Sequence, residues 1–138
     1  MPESMPTETD IGQLLAYLPA FDRPGRQFVK RWGGGEKADD GSISMPYPIY
    51  EDDVHAFFRL ASQPCWMDHN YQPERAGRML GDAQAVSQAD LASIRAMLAY
   101  CVRGERFSDG HWDAVLRSGQ VVALLKRLQQ LHTSPSAG

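Results

Sequence analysis

Apolar residues return every three or four positions over most of this chain, the spacing of one face of an α-helix. Ile11, Leu14, Leu15 and Leu18 form the first stripe and predict a helix over 10–18. Thr7 and Asp10 have the spacing of a capping box, and Pro19 is expected to stop the helix. Val54, Phe57, Phe58 and Ala61 predict a second helix over 51–62. Glu51, Asp52 and Asp53 fall in its first turn, where the helix dipole favours negative charge. Pro73 at a first helical position, followed by Ala76, Met79 and Leu80, predicts a short helix over 73–80. The clearest stripe is Leu91, Ile94, Leu98, Cys101 and Val102. Ser87-x-x-Asp90 reads as its capping box, and Gly104 as the left-handed residue that ends it. Trp112, Val115 and Leu116 predict a helix over 109–118, which Gly119 breaks. Val121, Leu124, Leu125, Leu128 and Leu131 predict a last one over 120–132.

Between the first two helices the period changes to two. Ile43, Met45 and Tyr47 alternate with Ser44, Pro46 and Pro48, and residues 27–32 are rich in strand formers. Proline cannot donate to a strand ladder, so these segments predict an edge-type hairpin, or plain extended chain, laid over the helices. The fold class expected is mainly α: a compact single-domain bundle of about six helices over 10–132, with a short two-stranded β-hairpin. Residues 1–9 and 133–138 are expected to be disordered tails.

Composition leaves this picture in place. Hydrophobic residues make up 43% and charged residues 22%, the balance of a chain with a real core. The net charge of −3 argues against a general nucleic-acid binder, which needs a basic surface to release counterions. The opening residues lack the apolar stretch of a secretory signal, and no apolar run approaches a membrane span. A cytoplasmic protein with two free, buried thiols, Cys65 and Cys101, is expected.

The densest polar stretch is RGERFSDGHW, residues 103–112. One reading makes it a corner between two helices. Gly104 then turns the chain, Ser108 or Asp109 caps the next helix, Phe107 and Trp112 pack beneath, and Glu105 pairs with Arg95, Arg103 or Arg106. The other makes Glu105, Asp109 and His111 an acid–base cluster, with histidine as the group that titrates near neutral pH. The spacing matches no fixed catalytic pattern, so the corner is favoured and no catalytic residue is assigned.

Other chemistry is thinner. Cys65 and His69 have helical spacing with Asp68 between them, and His55, Cys101 and His111 lie elsewhere. Paired ligand halves are missing, so no metal or cofactor is expected. GGG at 33–35 lacks the lysine and hydroxyl of a phosphate-binding loop. Cys65 beside a histidine is too little to define a thiol nucleophile. The turn after 104 has roughly helix-turn-helix length, and Arg103, Arg106, Arg117, Lys126 and Arg127 are the cations a weak nucleic-acid contact would use. The loop CWMDHNY, residues 65–71, sets Trp66 and Tyr71 beside Asp68. The favoured reading folds both aromatics back onto the core; the other makes Trp66, Asp68 and Tyr71, with Arg103 and Arg106, a candidate binding surface for a protein or small-molecule partner. The function expected is that of a non-enzymatic binding or regulatory module. The alternatives are a small enzyme built on the acid–base cluster and a weak nucleic-acid binder.

YPIYEDDVHAFFRLASQPCWMDHNY and MLAYCVRGERFSDGHWDAVLRSGQVVALLKRLQQL together resemble a family of small bacterial and archaeal proteins catalogued as a domain of unknown function. The likeness spans about residues 47–131, and VRGERFSDGHW is its most specific part. It implies a small helical intracellular protein and carries no activity or site residue with it.

Overall fold

A computed structural model describes residues 5–35, 37–43, 47–68, 70–105 and 110–133. It is mainly helical, with one two-stranded sheet among the described residues. The elements are α1 (Glu8–Leu15), α2 (Leu18–Phe21), β1 (Val29–Gly33), β2 (Tyr47–Tyr50), α3 (Asp52–Ala61), α4 (Pro73–Leu80), α5 (Ala83–Ser87), α6 (Leu91–Gly104), α7 (His111–Arg117) and α8 (Gln120–Thr133).

The apolar stripes do what their spacing requires. Leu14, Val54, Phe57, Phe58, Ile94, Leu98, Cys101, Leu124, Leu125 and Leu128 are essentially inaccessible and merge into one core. Helix α8 packs against α1, α2, α5, α6 and α7, and α6 packs against α3, α4, α7 and α8. These two helices form the spine, and the others are laid around them. Helix α6 is buried on more than its predicted stripe: Met97, Ala99 and Arg95 are also inside.

Local chemistry accounts for the ends of the elements. The capping box of α1 is present in both directions, with Thr7 Oγ1 accepting from Asp10 N and Asp10 accepting from Thr7 N. The helix therefore starts at Glu8, before the expected position. Pro19 does not simply stop the chain's helical course. It lies in the first turn of α2, where its missing N–H has no partner to lose. Ser87 is not the cap of α6 but the last residue of α5, a helix the sequence did not announce. Asp90 caps α6 by accepting from Ser93 N at 2.8 Å.

The hairpin is antiparallel, pairing Val29 with Tyr50, Arg31 with Ile49, Trp32 with Pro48 and Gly33 with Tyr47. The register shifts between Val29 and Arg31. Only its base enters the core, through Phe28 and Tyr50. Away from that base the apolar residues are exposed: Ile43 is 66% and Tyr47 49% exposed, with Trp32 at 54% across the ladder. A second anchor is Arg26, whose guanidinium donates to both carboxylate oxygens of Asp53 on α3, at 2.8 and 2.5 Å, and to the Ala20 carbonyl. That contact ties the approach to β1 onto α3 and lowers the Asp53 carboxyl below its ordinary range.

Candidate functional site

Glu105 and the start of α7 make a corner with the end of α6, held by hydrogen bonds that run in both directions. The first N–H groups of any helix lack intrahelical partners and need acceptors. Glu105, just past α6, supplies them to α7: its carboxylate accepts from Gly110 N at 2.9 Å and Trp112 N at 2.8 Å. The same carboxylate accepts from the hydroxyl of Tyr50 on β2 at 2.8 Å. In return, the indole Nε1 of Trp112 donates to the Val102 carbonyl near the end of α6 at 3.2 Å. Burial, with the Glu105 carboxylate beside it, raises the Tyr50 hydroxyl well above its ordinary value, so it stays a donor. Its oxygen also accepts from Asp113 N at 3.3 Å. Beneath the corner, Trp112 stacks on Phe58 with ring centroids 4.3 Å apart.

Glycine has a different role here from the one its sequence position suggested. Gly104 is the last residue of α6 and has no positive φ. The left-handed residue is Gly110, at φ 91°, the cap of α7. Gly104 is small because the His111 ring lies where its side chain would be. His111 also meets Tyr100 edge-on at 5.2 Å. Its Nε2 is enclosed with no hydrogen-bond partner among the described residues, and burial lowers its pKa against a smaller opposing pull from Glu105. Glu105 and His111 thus share the corner without a hydrogen bond between them. Arg106, Phe107, Ser108 and Asp109 lie outside the described residues, and with them the third member of the acid–base cluster and the expected caps at 108 and 109.

The aromatic loop divides. Trp66 is fully buried, and its side chain offers no surface to a partner. Tyr71 is half-buried, with the Arg103 guanidinium over its ring at 5.8 Å. Asp68 turns the loop by accepting from Asn70 N at 2.9 Å. Buried Arg95, on α6, fixes the loop from below by donating to the Met67 carbonyl at 3.1 Å. Asp68 and Tyr71 border a cleft of about 350 Å³ that runs between this loop, α4 and the start of α6. Ala76, Ala92 and Ala96 keep it open, and Arg75, Asp90 and Ser93 add polar groups of both signs. The structure therefore brings Asp68, Tyr71 and Arg103 to one region and sends Trp66 into the core. The small residues on α6 opposite its apolar stripe, Ala92, Ser93 and Ala96, are the trace that this cleft leaves in the sequence.

The remaining candidates scatter. Among the described residues, no group of three or more histidine, cysteine, aspartate or glutamate side chains could hold a metal ion. His69 is outside the described set; Cys65 sits beside Asp10, and burial followed by that carboxylate raises its thiol. Cys101 is enclosed in the core, and burial pushes its thiol up to about 12. The described cations of the nucleic-acid reading have partners within the fold. Arg117 pairs with Asp113, Lys126 with Asp22, and Arg127 donates to the Ala89 carbonyl. No described helix is long and apolar enough to cross a membrane.

Comparison with known proteins adds the family. A model described as a family of unknown function, DUF6508, matches residues 6–134. The chain belongs to this family. The match extends the likeness read from residues 47–131 to almost the whole of the chain. No curated protein and no solved structure matches.

Proposed function

We propose that this DUF6508 protein is a non-enzymatic binding module and that its ligand enters the cleft between the 68–72 loop, α4 and α6. One contrast carries the reading. The Glu105 carboxylate accepts three hydrogen bonds in holding a corner, whereas Asp68 and Asp90, each accepting from one backbone N–H among the described residues, border open space. Asp68 and Asp90 place carboxylates on its rim, Arg75 places a guanidinium, and alanines form its floor. That arrangement suits a small molecule with both charges, such as a free amino acid. Opposite charges fix orientation, and the shallow apolar floor takes a short side chain.

Titration of the isotope-labelled protein with the free amino acids, followed by amide chemical shifts, tests this. Saturable shifts are expected at Tyr71, Ser93 and Ala96. The Ala96→Phe variant, which fills the cleft, should remove them while leaving the folded spectrum otherwise intact. Absence of saturable shifts, or shifts that survive in Ala96→Phe, would overturn the assignment of the cleft.

A further inference from the structure

A second groove, of about 400 Å³, lies between β1 and α7, away from the cleft. Every residue from Gln27 to Trp32 borders it. Four of these residues, Val29 to Trp32, belong to β1; beyond the register shift, Arg31 and Trp32 point to opposite faces of the strand, and a wall that contains both runs beside the backbone edge. The opposite edge of β1 is bonded to β2. Among the described residues, no strand pairs with this one. The far wall is α7, which contributes Asp113 and Arg117.

The charge of the groove differs from that of the chain. Lys30, Arg31 and Arg117 face one carboxylate, Asp113, in a protein of net charge −3. Asp113 is already held by Arg117 at 3.0 Å, and Lys30 only loosely by Asp52 at 3.5 Å. Arg31 is exposed and has no charged partner among the described residues. Trp32, more than half exposed at the end of the strand, adds an aromatic surface with no core role. The N–H and C=O groups of an exposed strand edge pair readily with another chain, and natural edges limit this with lysine or a bulge; β1 carries both, Lys30 and the register shift between Val29 and Arg31, so only a strand of complementary charge is favoured there. Here a cationic trough and a tryptophan accompany the edge.

We infer that this groove receives an extended, acidic segment of a partner protein, which adds a strand to β1. Main-chain hydrogen bonds along β1 would give affinity. Lys30 and Arg31 would select glutamate or aspartate, and Trp32 would take an apolar residue between them.

The probe is a blocked octapeptide alternating glutamate and valine, labelled with a fluorophore and followed by anisotropy at low salt. Its lysine–valine counterpart is the control. The acidic peptide is expected to bind with β1 amide protons slowed in hydrogen exchange. Lys30→Glu with Arg31→Glu, both at exposed positions, should weaken binding by about tenfold or more. Equal binding of the two peptides, or binding without protection of β1, would overturn the inference. So would absence of binding by a variant-free, folded protein, or competition for the edge by a second copy of the chain, seen as a dimer in sedimentation. Ala96→Phe should leave this binding unchanged, so the groove and the cleft stand or fall separately.

Discussion

A methyl group on Gly104 would fall on the imidazole ring of His111. Alanine is ordinarily the better helix residue by about 1 kcal/mol, so propensity alone predicts that Gly104→Ala stabilises α6. The contact predicts the opposite sign. Gly104→Ala should cost roughly 2 kcal/mol in urea unfolding, because the ring is confined by Tyr100 and cannot withdraw without disturbing α7. His111→Ala should absorb most of that cost, and a double-mutant cycle would show strong coupling. Additive effects would mean that the close approach has no energetic weight. The sequence placed a glycine here correctly but for the wrong reason. A residue kept small by a neighbour across a turn leaves the same local pattern as one that turns the chain.

Among elements, Glu105 is the joint. Helices α6 and α7 and strand β2 converge on its carboxylate through Trp112, Gly110 and Tyr50. Glu105→Ala would leave a buried hydroxyl and two helix N-terminal donors without their acceptor. A loss of about 2–4 kcal/mol is expected in urea unfolding. Glu105→Gln keeps one oxygen as an acceptor and should recover part of it. A neutral Glu105→Ala result would return the corner to the list of sites awaiting a ligand. The six long stripes, the hairpin and the capping box of α1 were legible because each is written in residues a few positions apart. The partners of Glu105 were not, since Tyr50 lies in another element and nothing near Glu105 points to it. Helix α5 and the single turn α2 escaped because they are too short to show a period. Of the two readings of the 65–71 loop, Trp66 follows the one that folds the aromatics onto the core, while Asp68 and Tyr71 stay at the rim of the cleft.

For the molecule as a whole, acidity should erode stability from two places in the same direction. His111 has a folded-state pKa below its ordinary 6.5, chiefly through burial. The unfolded chain then binds the proton more readily, so stability falls as pH drops from 6.5 toward the lowered value and is recovered above it. Asp53, held low by Arg26, contributes stability above its ordinary 3.8 that is lost as pH falls through its folded value. Urea midpoints taken from pH 7.5 downward should therefore decline through the histidine range. His111→Gln should flatten that part of the profile and leave the decline at lower pH. A profile identical in the two proteins would remove His111 as its source.

The bond from Tyr50 to Glu105 also determines which parts of the protein can come loose alone. A two-stranded hairpin without such a tie would fray as a minor, low-energy fluctuation. Here detaching β2 removes a donor from the carboxylate that caps α7, and unwinding α7 withdraws two donors from the carboxylate that anchors β2. The two events are thus coupled, each lowering part of the cost of the other, although more than fifty residues of chain separate Tyr50 from Glu105.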